Sequence, residues 1–408
     1  MQLTQSRYRG GTVPMLERAE HAYIEKLVAR DGLRFAFFLW LGVRIALSIW
    51  GMLSILVSGD SALSQWDLEH YTLGVWNVFD TTHYITIADD GYESNPDYLT
   101  AFFPGFPLLT KLFSMLLFGN SLLAALLVAN IATIFFFWYF YRLVEADYGE
   151  QVAKRAVVFS AVFPTSYYLF LGYTEAPLLA FSLAALYYGR QNKWWAAGIL
   201  AGAAALVKQP GIFLLLPLAY MYVRQYTART AKPRRSVVDF LKHKDWAWLL
   251  LCPATAFTYT AYRYLFLGSQ LKGPTDLGAS EMLQFPGLAL VQALQVANFG
   301  NPLFIFNVME IAFTVLMIVL VVGSLVKLRS LTYSIYSVLI SVVSLAVTWP
   351  NIWRPEADMP RRMLIIFPVF IYLALVTGKR RIFIYTVAVS FLLGLALSCL
   401  FVNGFFIS

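Results

Sequence analysis

Eight side chains have the types and spacing for chemistry, and they come from four stretches. Asp80, His83 and Tyr84 open FDTTHYITIADDGY at i, i+3 and i+4, so a helix would present all three on one face. Glu175 lies in GYTEAPLLAF, Lys208 and Gln209 in LVKQPG, and Arg361 and Arg362 in RRMLIIFP. A carboxylate can take the proton of an attacking hydroxyl. Cations can hold a phosphate and offset its charge as it leaves, and a guanidinium does so with a two-pronged pair. Together these residues suit group transfer from a phosphorylated substrate, with a carboxylate as general base. Each also has a plainer use on its own: Asp80 as a helix cap, Glu175 as a helix-start acid, Lys208 as a snorkelling cation, the arginines as interfacial anchors. Other nucleophile signatures are missing from the sequence: there is no Gly-x-Ser-x-Gly elbow, Walker loop or Cys/His metal spacing. With four histidines in the chain, no metal cluster is expected, and His83 reads as a substrate-binding residue.

The elements that must position these residues are membrane helices. A mean hydropathy of +0.63, with 59% hydrophobic and 13% charged residues, excludes an ordinary soluble domain. Apolar runs near the length that a bilayer core of about 30 Å requires recur throughout, and helices satisfy their own backbone groups in lipid. The expected class is an all-α polytopic membrane protein. Its net charge of +8 collects beside the spans and does not point to nucleic acid. Cys252 and Cys399 lie inside apolar runs and read as small core hydrophobes. The polar first thirty-odd residues carry no signal-peptide pattern.

Charge bias sets the topology. Between Arg44 and Lys111 there is no Lys or Arg, while Asp60, Asp67, Glu69, Asp80, Asp89, Asp90, Glu93 and Asp97 all fall there. Residues 58–121 therefore read as a first outer loop. Treating Phe102–Phe118 as a juxtamembrane helix places every later basic cluster inside. About eleven spans follow: Phe35–Val57, Leu122–Tyr141, Val157–Gly172, Ala176–Tyr188, Trp194–Val207, Ile212–Tyr226, Trp246–Leu267, Leu303–Val326, Tyr333–Trp349, Met363–Thr377 and Ile382–Val402. Residues 1–34 form a cytoplasmic segment whose Met15–Arg34 part is an amphipathic surface helix. Residues 35–408 form one transmembrane domain, with a cytoplasmic linker at 227–245 and a second outer loop at 268–301. In this topology all four chemistry-bearing stretches meet at the outer face, where ionisable residues at membrane depth are functional candidates. Arginines on the side that positive charge avoids are suited to a lipid phosphate.

FDTTHYITIADDGY followed by AFFPGFP resembles the signature of the PIG-V family, the second mannosyltransferase of GPI-anchor assembly, and its prokaryotic relatives. GYTEA resembles that family's Tyr-Ser-Glu element, VKQPG its Arg-containing small loop, and RRMLIIFP its Arg-aromatic-to-Phe-Pro stretch, in order from Phe79 to Pro368. The resemblance implies a GT-C glycosyltransferase fold with its active site in the first outer loop. It also implies a polyprenyl- or dolichyl-phosphate sugar donor, the sugar being mannose in the family named, and a lipid, glycan or protein hydroxyl acceptor. The displacement would invert the anomeric centre without an essential metal or further cofactor, in a prokaryotic cell membrane or the endoplasmic reticulum. Asp80 matches the family's catalytic acid. Two positions depart from the pattern: Lys208 replaces the usual Arg, and Met363 rather than Tyr follows Arg362. The alternative from another class is a transporter or lipid flippase with an acidic outer gate. The internal repeats that such proteins often show are not evident here.

Overall fold

A computed structural model of the chain describes residues 15–58, 72–94, 96–229, 244–267, 276–278, 281–348 and 353–406. The first half runs α1 Met15–Ser58, α2 Asp80–Asp90, α3 Pro96–Leu99, α4 Gly105–Leu116, α5 Ser121–Tyr148 and α6 Glu150–Val162. It continues with α7 Glu175–Arg190, α8 Trp194–Val207, α9 Leu215–Arg229 and α10 Leu251–Phe266. Short strands β1 Asp276–Gly278 and β2 Glu281–Leu283 precede α11 Leu288–Val296, α12 Phe304–Leu328 and α13 Leu331–Ala346. Strand β3 Val347–Thr348 then leads to α14 Met359–Leu364, α15 Pro368–Val376 and α16 Arg380–Val402. The strands form one small antiparallel sheet in the order β1-β2-β3, with Met282 opposite Thr348 and Leu283 opposite Val347. The all-helical membrane class expected from composition holds.

Four described helices are long and apolar enough to cross a membrane: Asp31–Val57 within α1, then α5, α12 and α16. Their outward faces are apolar, as at Ile305, Val319 and Val326 on α12 and Tyr385, Val389 and Leu392 on α16. Such faces suit lipid. The other helices are shorter. α4, at 12 residues, extends about 18 Å at 1.5 Å per residue, too little to span. Its exposed Leu108, Leu112, Met115 and Leu116 make one apolar stripe, as a helix lying at the interface requires.

Several expected elements take a different form. The surface helix and first span are one continuous 44-residue helix, α1. The expected span Val157–Gly172 stops at Val162, because Pro164 cannot continue the helical hydrogen-bond ladder. A 3-10 turn at Ser166–Phe170 follows, and residues 161–180 are all buried. Broken backbone at this depth must find partners within the protein. Thr133 Oγ1 donates to the Leu169 carbonyl at 2.5 Å, and Asn130 Nδ2 and Arg44 Nη1 donate to that of Phe170 at 3.1 and 3.0 Å. The expected span Met363–Thr377 is likewise split into α14 and α15 at Pro368. The expectations for residues 1–14, for Asp60, Asp67 and Glu69, for linker residues 230–243 and for outer-loop residues 268–275 lie outside the described residues.

The helices pack into one bundle. α5 lies against α1, α4, α6 and α7, while α8 lies against α7 and α10. Trp50 Nε1 donates to the Leu395 carbonyl at 2.7 Å and ties α1 to α16. Basic residues gather at the bundle end where α5 and α7 finish. There Arg190 pairs with Asp147, Arg155 donates to the carbonyls of Thr377 and Gly378, and Tyr148 donates to that of Leu328. The other end holds α2 and the start of α7.

Candidate active site

Asp80 opens α2 because the residue before it turns the chain sharply. Phe79 has φ +51° and ψ −122°, a region that non-glycine residues rarely adopt. Its ring is held between Phe401 and Phe406, at centroid distances of 5.0 and 4.9 Å, so packing at the far end of the chain sustains the strain. The Asp80 backbone N–H donates to the Tyr173 hydroxyl at 3.2 Å. The broken segment after α6 thereby fixes the start of α2. The two segments come this close because residue 172 is glycine: a Cβ there would stand 2.8 Å from Thr81 Cγ2.

The four charged stretches converge through one guanidinium. Arg361 donates from Nη1 to Asp80 Oδ2 at 2.5 Å and from Nε to Glu175 Oε1 at 2.6 Å. Lys208 Nζ reaches the same Glu175 oxygen at 2.5 Å. Arg361 also lies over the rings of Tyr173 and Tyr168, at 4.6 and 5.2 Å. Glu175 is fully buried, whereas the Asp80 side chain is 17% exposed and that of Lys208 27%. Buried charge is tolerated where it is paired and hydrogen-bonded; Glu175 Oε1 takes the bonds of both cations, while its Oε2 is buried with no hydrogen-bond partner. Arg361 and Glu175 form its inner part; Asp80 and Lys208 face outward.

All eight residues singled out in the sequence line one cavity of about 590 Å³. His83 shares the Asp80 face of α2 as expected, with its ring 5.0 Å from that of Tyr98 and 5.2 Å from that of Phe102. Tyr84 is buried; its hydroxyl meets that of Thr174 at 3.4 Å, and its ring stands edge-on to Phe102 and Phe106. Burial, with Asp80 close by, pushes its phenol upward, so it remains a donor. Gln209 is exposed on the cavity rim. Arg362 turns Nη1 to the carbonyls of Ser344 and Val347, at 3.3 and 2.8 Å, and Nη2 lies 4.0 Å from Asp358. The AFFPGFP stretch reaches Lys208 through a second glycine contact. A Cβ on Gly105 would meet the Leu206 carbonyl carbon and the Val207 nitrogen at 2.7 Å.

Several residues in or beneath the cavity wall were not singled out in the sequence. Tyr168 and Tyr173 underlie Arg361; Tyr168 lies in the apolar run before GYTEA, and Tyr173 lies within that motif, where Glu175 was the residue that drew a role. Asp358, with φ +75°, opens α14 three residues before Arg361. Thr260, Arg263 and Tyr264 line the wall formed by α10. Arg263 stands alone near a span end, the usual position of an interfacial anchor, and no pattern distinguished it.

Residues 103–257 match the family model of dolichyl-phosphate-mannose-protein mannosyltransferase. The chain is 27% identical to GPI alpha-1,6-mannosyltransferase 2 of Mus musculus over 209 residues, 47% of this chain and 41% of the mouse protein. It is 24% identical to GPI mannosyltransferase 2 of Schizosaccharomyces pombe over 205 residues, 45% of this chain and 43% of that protein. The matches thus span less than half the length of these curated relatives. Among solved structures, the chain is similar to the Archaeoglobus fulgidus oligosaccharyltransferase, at 12% identity and a TM-score of 0.42, over 88% of this chain and 53% of that one.

Proposed function

We propose that this chain, a relative of the PIG-V mannosyltransferases of the GT-C superfamily, moves a mannosyl group from a polyprenyl- or dolichyl-phosphate donor to an acceptor hydroxyl. The observation that carries this reading is the Asp80–Arg361–Glu175–Lys208 array on the wall of one cavity. The acceptor oxygen attacks the anomeric carbon as its proton passes to Asp80. The new C–O bond forms opposite the departing phosphate, and the old one breaks with its electron pair remaining on the lipid phosphate. The anomeric centre inverts. No cofactor beyond the lipid-phosphate sugar takes part, and the acceptor is a lipid, glycan or protein hydroxyl.

The geometry divides the charged residues into two roles. Arg361, held by two carboxylates, positions Asp80. Lys208 and Arg362 have side chains on the cavity wall and suit substrate contact with His83, Tyr84 and Gln209. The basic end of the bundle is cytoplasmic by the positive-inside rule, which sets the cavity on the extracytoplasmic side of a cell membrane. In this reading the shorter helices complete a GT-C bundle of about eleven crossings.

The test is mannosyl transfer by the purified protein in lipid nanodiscs, with polyprenyl-phosphate-mannose and a panel of lipid, glycan and protein acceptors. Transfer that is lost with Asp80→Asn supports the enzyme. Substrate flux across vesicles that survives Asp80→Asn, with no transfer to any acceptor, would mark a transporter instead.

A further inference from the structure

Among the described residues four cations line the cavity, and three of them have acidic partners: Lys208 has Glu175, Arg361 has Asp80 and Glu175, and Arg362 has Asp358. The fourth is Arg263, in the last turn of α10 and only 6% exposed. Its Nη2 meets the neutral Thr100 hydroxyl at 3.5 Å, the outer limit of a hydrogen bond, and its guanidinium lies 5.9 Å from the Tyr259 ring centre. Its Nε is buried with no hydrogen-bond partner. Among the described residues no carboxylate lies within ion-pair reach of it. A buried guanidinium without a counter-charge costs far more than one long hydrogen bond and one ring return. An anion entering the cavity would supply the missing charge.

We propose that Arg263 is the counter-charge for the phosphate of the lipid-linked donor, an inference that rests on the glycosyl-transfer reading above. The position of α10 identifies the donor as the source of the anion. Tyr259 donates to the carbonyls of Thr100 and Phe102, at 2.9 and 3.0 Å, so α10 is tied to the aromatic stretch on the cavity rim. Tyr264 lines the cavity, and the next two residues, Leu265 and Phe266, are each 75% exposed on the apolar outer surface of the helix. A phosphate on Arg263 therefore sits where an attached polyprenyl chain can leave the cavity along an apolar surface into the bilayer. A soluble phosphate donor would have no use for that exit.

Binding of decaprenyl phosphate and of uncharged decaprenol to the full chain in nanodiscs tests the proposal. Arg263→Gln should weaken decaprenyl phosphate binding about 10–100-fold, the usual loss for a charged hydrogen-bond partner. It should leave decaprenol binding unchanged and raise the donor KM by a similar factor. Arg263→Lys should recover part of the loss, because a point charge replaces the planar fork incompletely. Wild-type affinity for decaprenyl phosphate in Arg263→Gln overturns the assignment. Should that variant not fold, the wild-type protein still decides. Decaprenyl phosphate, and not decaprenol, should protect Arg263 from phenylglyoxal, read by peptide mass spectrometry, and equal modification with both lipids overturns the proposal. A wild-type protein that binds neither lipid and transfers no mannose overturns the functional reading itself, whereas transfer that is indifferent to Arg263 removes only this residue's role.

Discussion

Arg361 donates to Asp80 at 2.5 Å across a sequence separation of 281 residues. The same guanidinium holds Glu175, so the candidate base cannot rotate freely and its second neighbour is also fixed. An acceptor hydroxyl is a poor nucleophile until its proton is being removed. A positioned carboxylate contributes roughly 10²–10⁴-fold to that step, about 3–5 kcal/mol of barrier. Asp80→Asn should lower kcat by that factor in the mannosyl-transfer assay with little change in donor binding. Asp80→Glu should also lose most activity, since about 1 Å of misplacement can cost 10²-fold. Normal turnover in Asp80→Asn beside an inactive, well-folded Glu175→Gln would move the base to Glu175.

Removing Arg361 leaves buried Glu175 with Lys208 alone and Asp80 with no cation bonded to it. Arg361→Met should destabilise the protein by about 3–5 kcal/mol, the usual cost of stranding a buried charge. Adding Glu175→Gln should recover part of that loss. A double-mutant cycle read by denaturant or thermal unfolding checks the coupling, and strict additivity would show that the pair does not interact.

Arg362 has a different environment, bonded to the carbonyls of Ser344 and Val347 while its side chain lines the cavity. Arg362→Ala should raise the donor KM, lower kcat, or both, and Arg362→Lys should rescue only in part. Wild-type donor kinetics in both variants would leave the residue as a tie between α14 and the segment around β3.

Gly105 brings the aromatic stretch against the backbone just before Lys208. Because a Cβ there would meet backbone atoms at 2.7 Å, the neighbours cannot yield by rotating a side chain. Gly105→Ala should cost about 1–3 kcal/mol of stability, as overpacking does, and should reduce transfer with it. Unchanged stability in a thermal unfolding measurement would show that the helices are not held so closely.

Orientation can be tested directly. Ser94, exposed beside α2, should when changed to Cys react with an impermeant thiol reagent from outside intact cells. Ser236→Cys, in the basic linker, should not. A Cys399→Ser background removes the half-exposed native thiol, and Cys252 is already buried. The opposite labelling pattern would put the cavity on the cytoplasmic side.

Sequence alone determined the membrane class, because hydropathy summed over a helix-length window is a local property that the lipid environment requires. It also singled out eight residues that the structure places around one cavity, since their motifs sit at helix starts and breaks that local residues specify. Tertiary structure decided how those residues are used. Whether a buried arginine holds a ligand or a carboxylate depends on what lies within about 3 Å of it, and for Arg361 those partners come from α2 and from the start of α7. The break after Val162 was written in Pro164, but the bonds that make it tolerable come from α1 and α5. Arg263 was illegible for the converse reason. Its significance is the lack of a carboxylate partner among the described residues, and no sequence pattern records which partner a side chain will fail to meet.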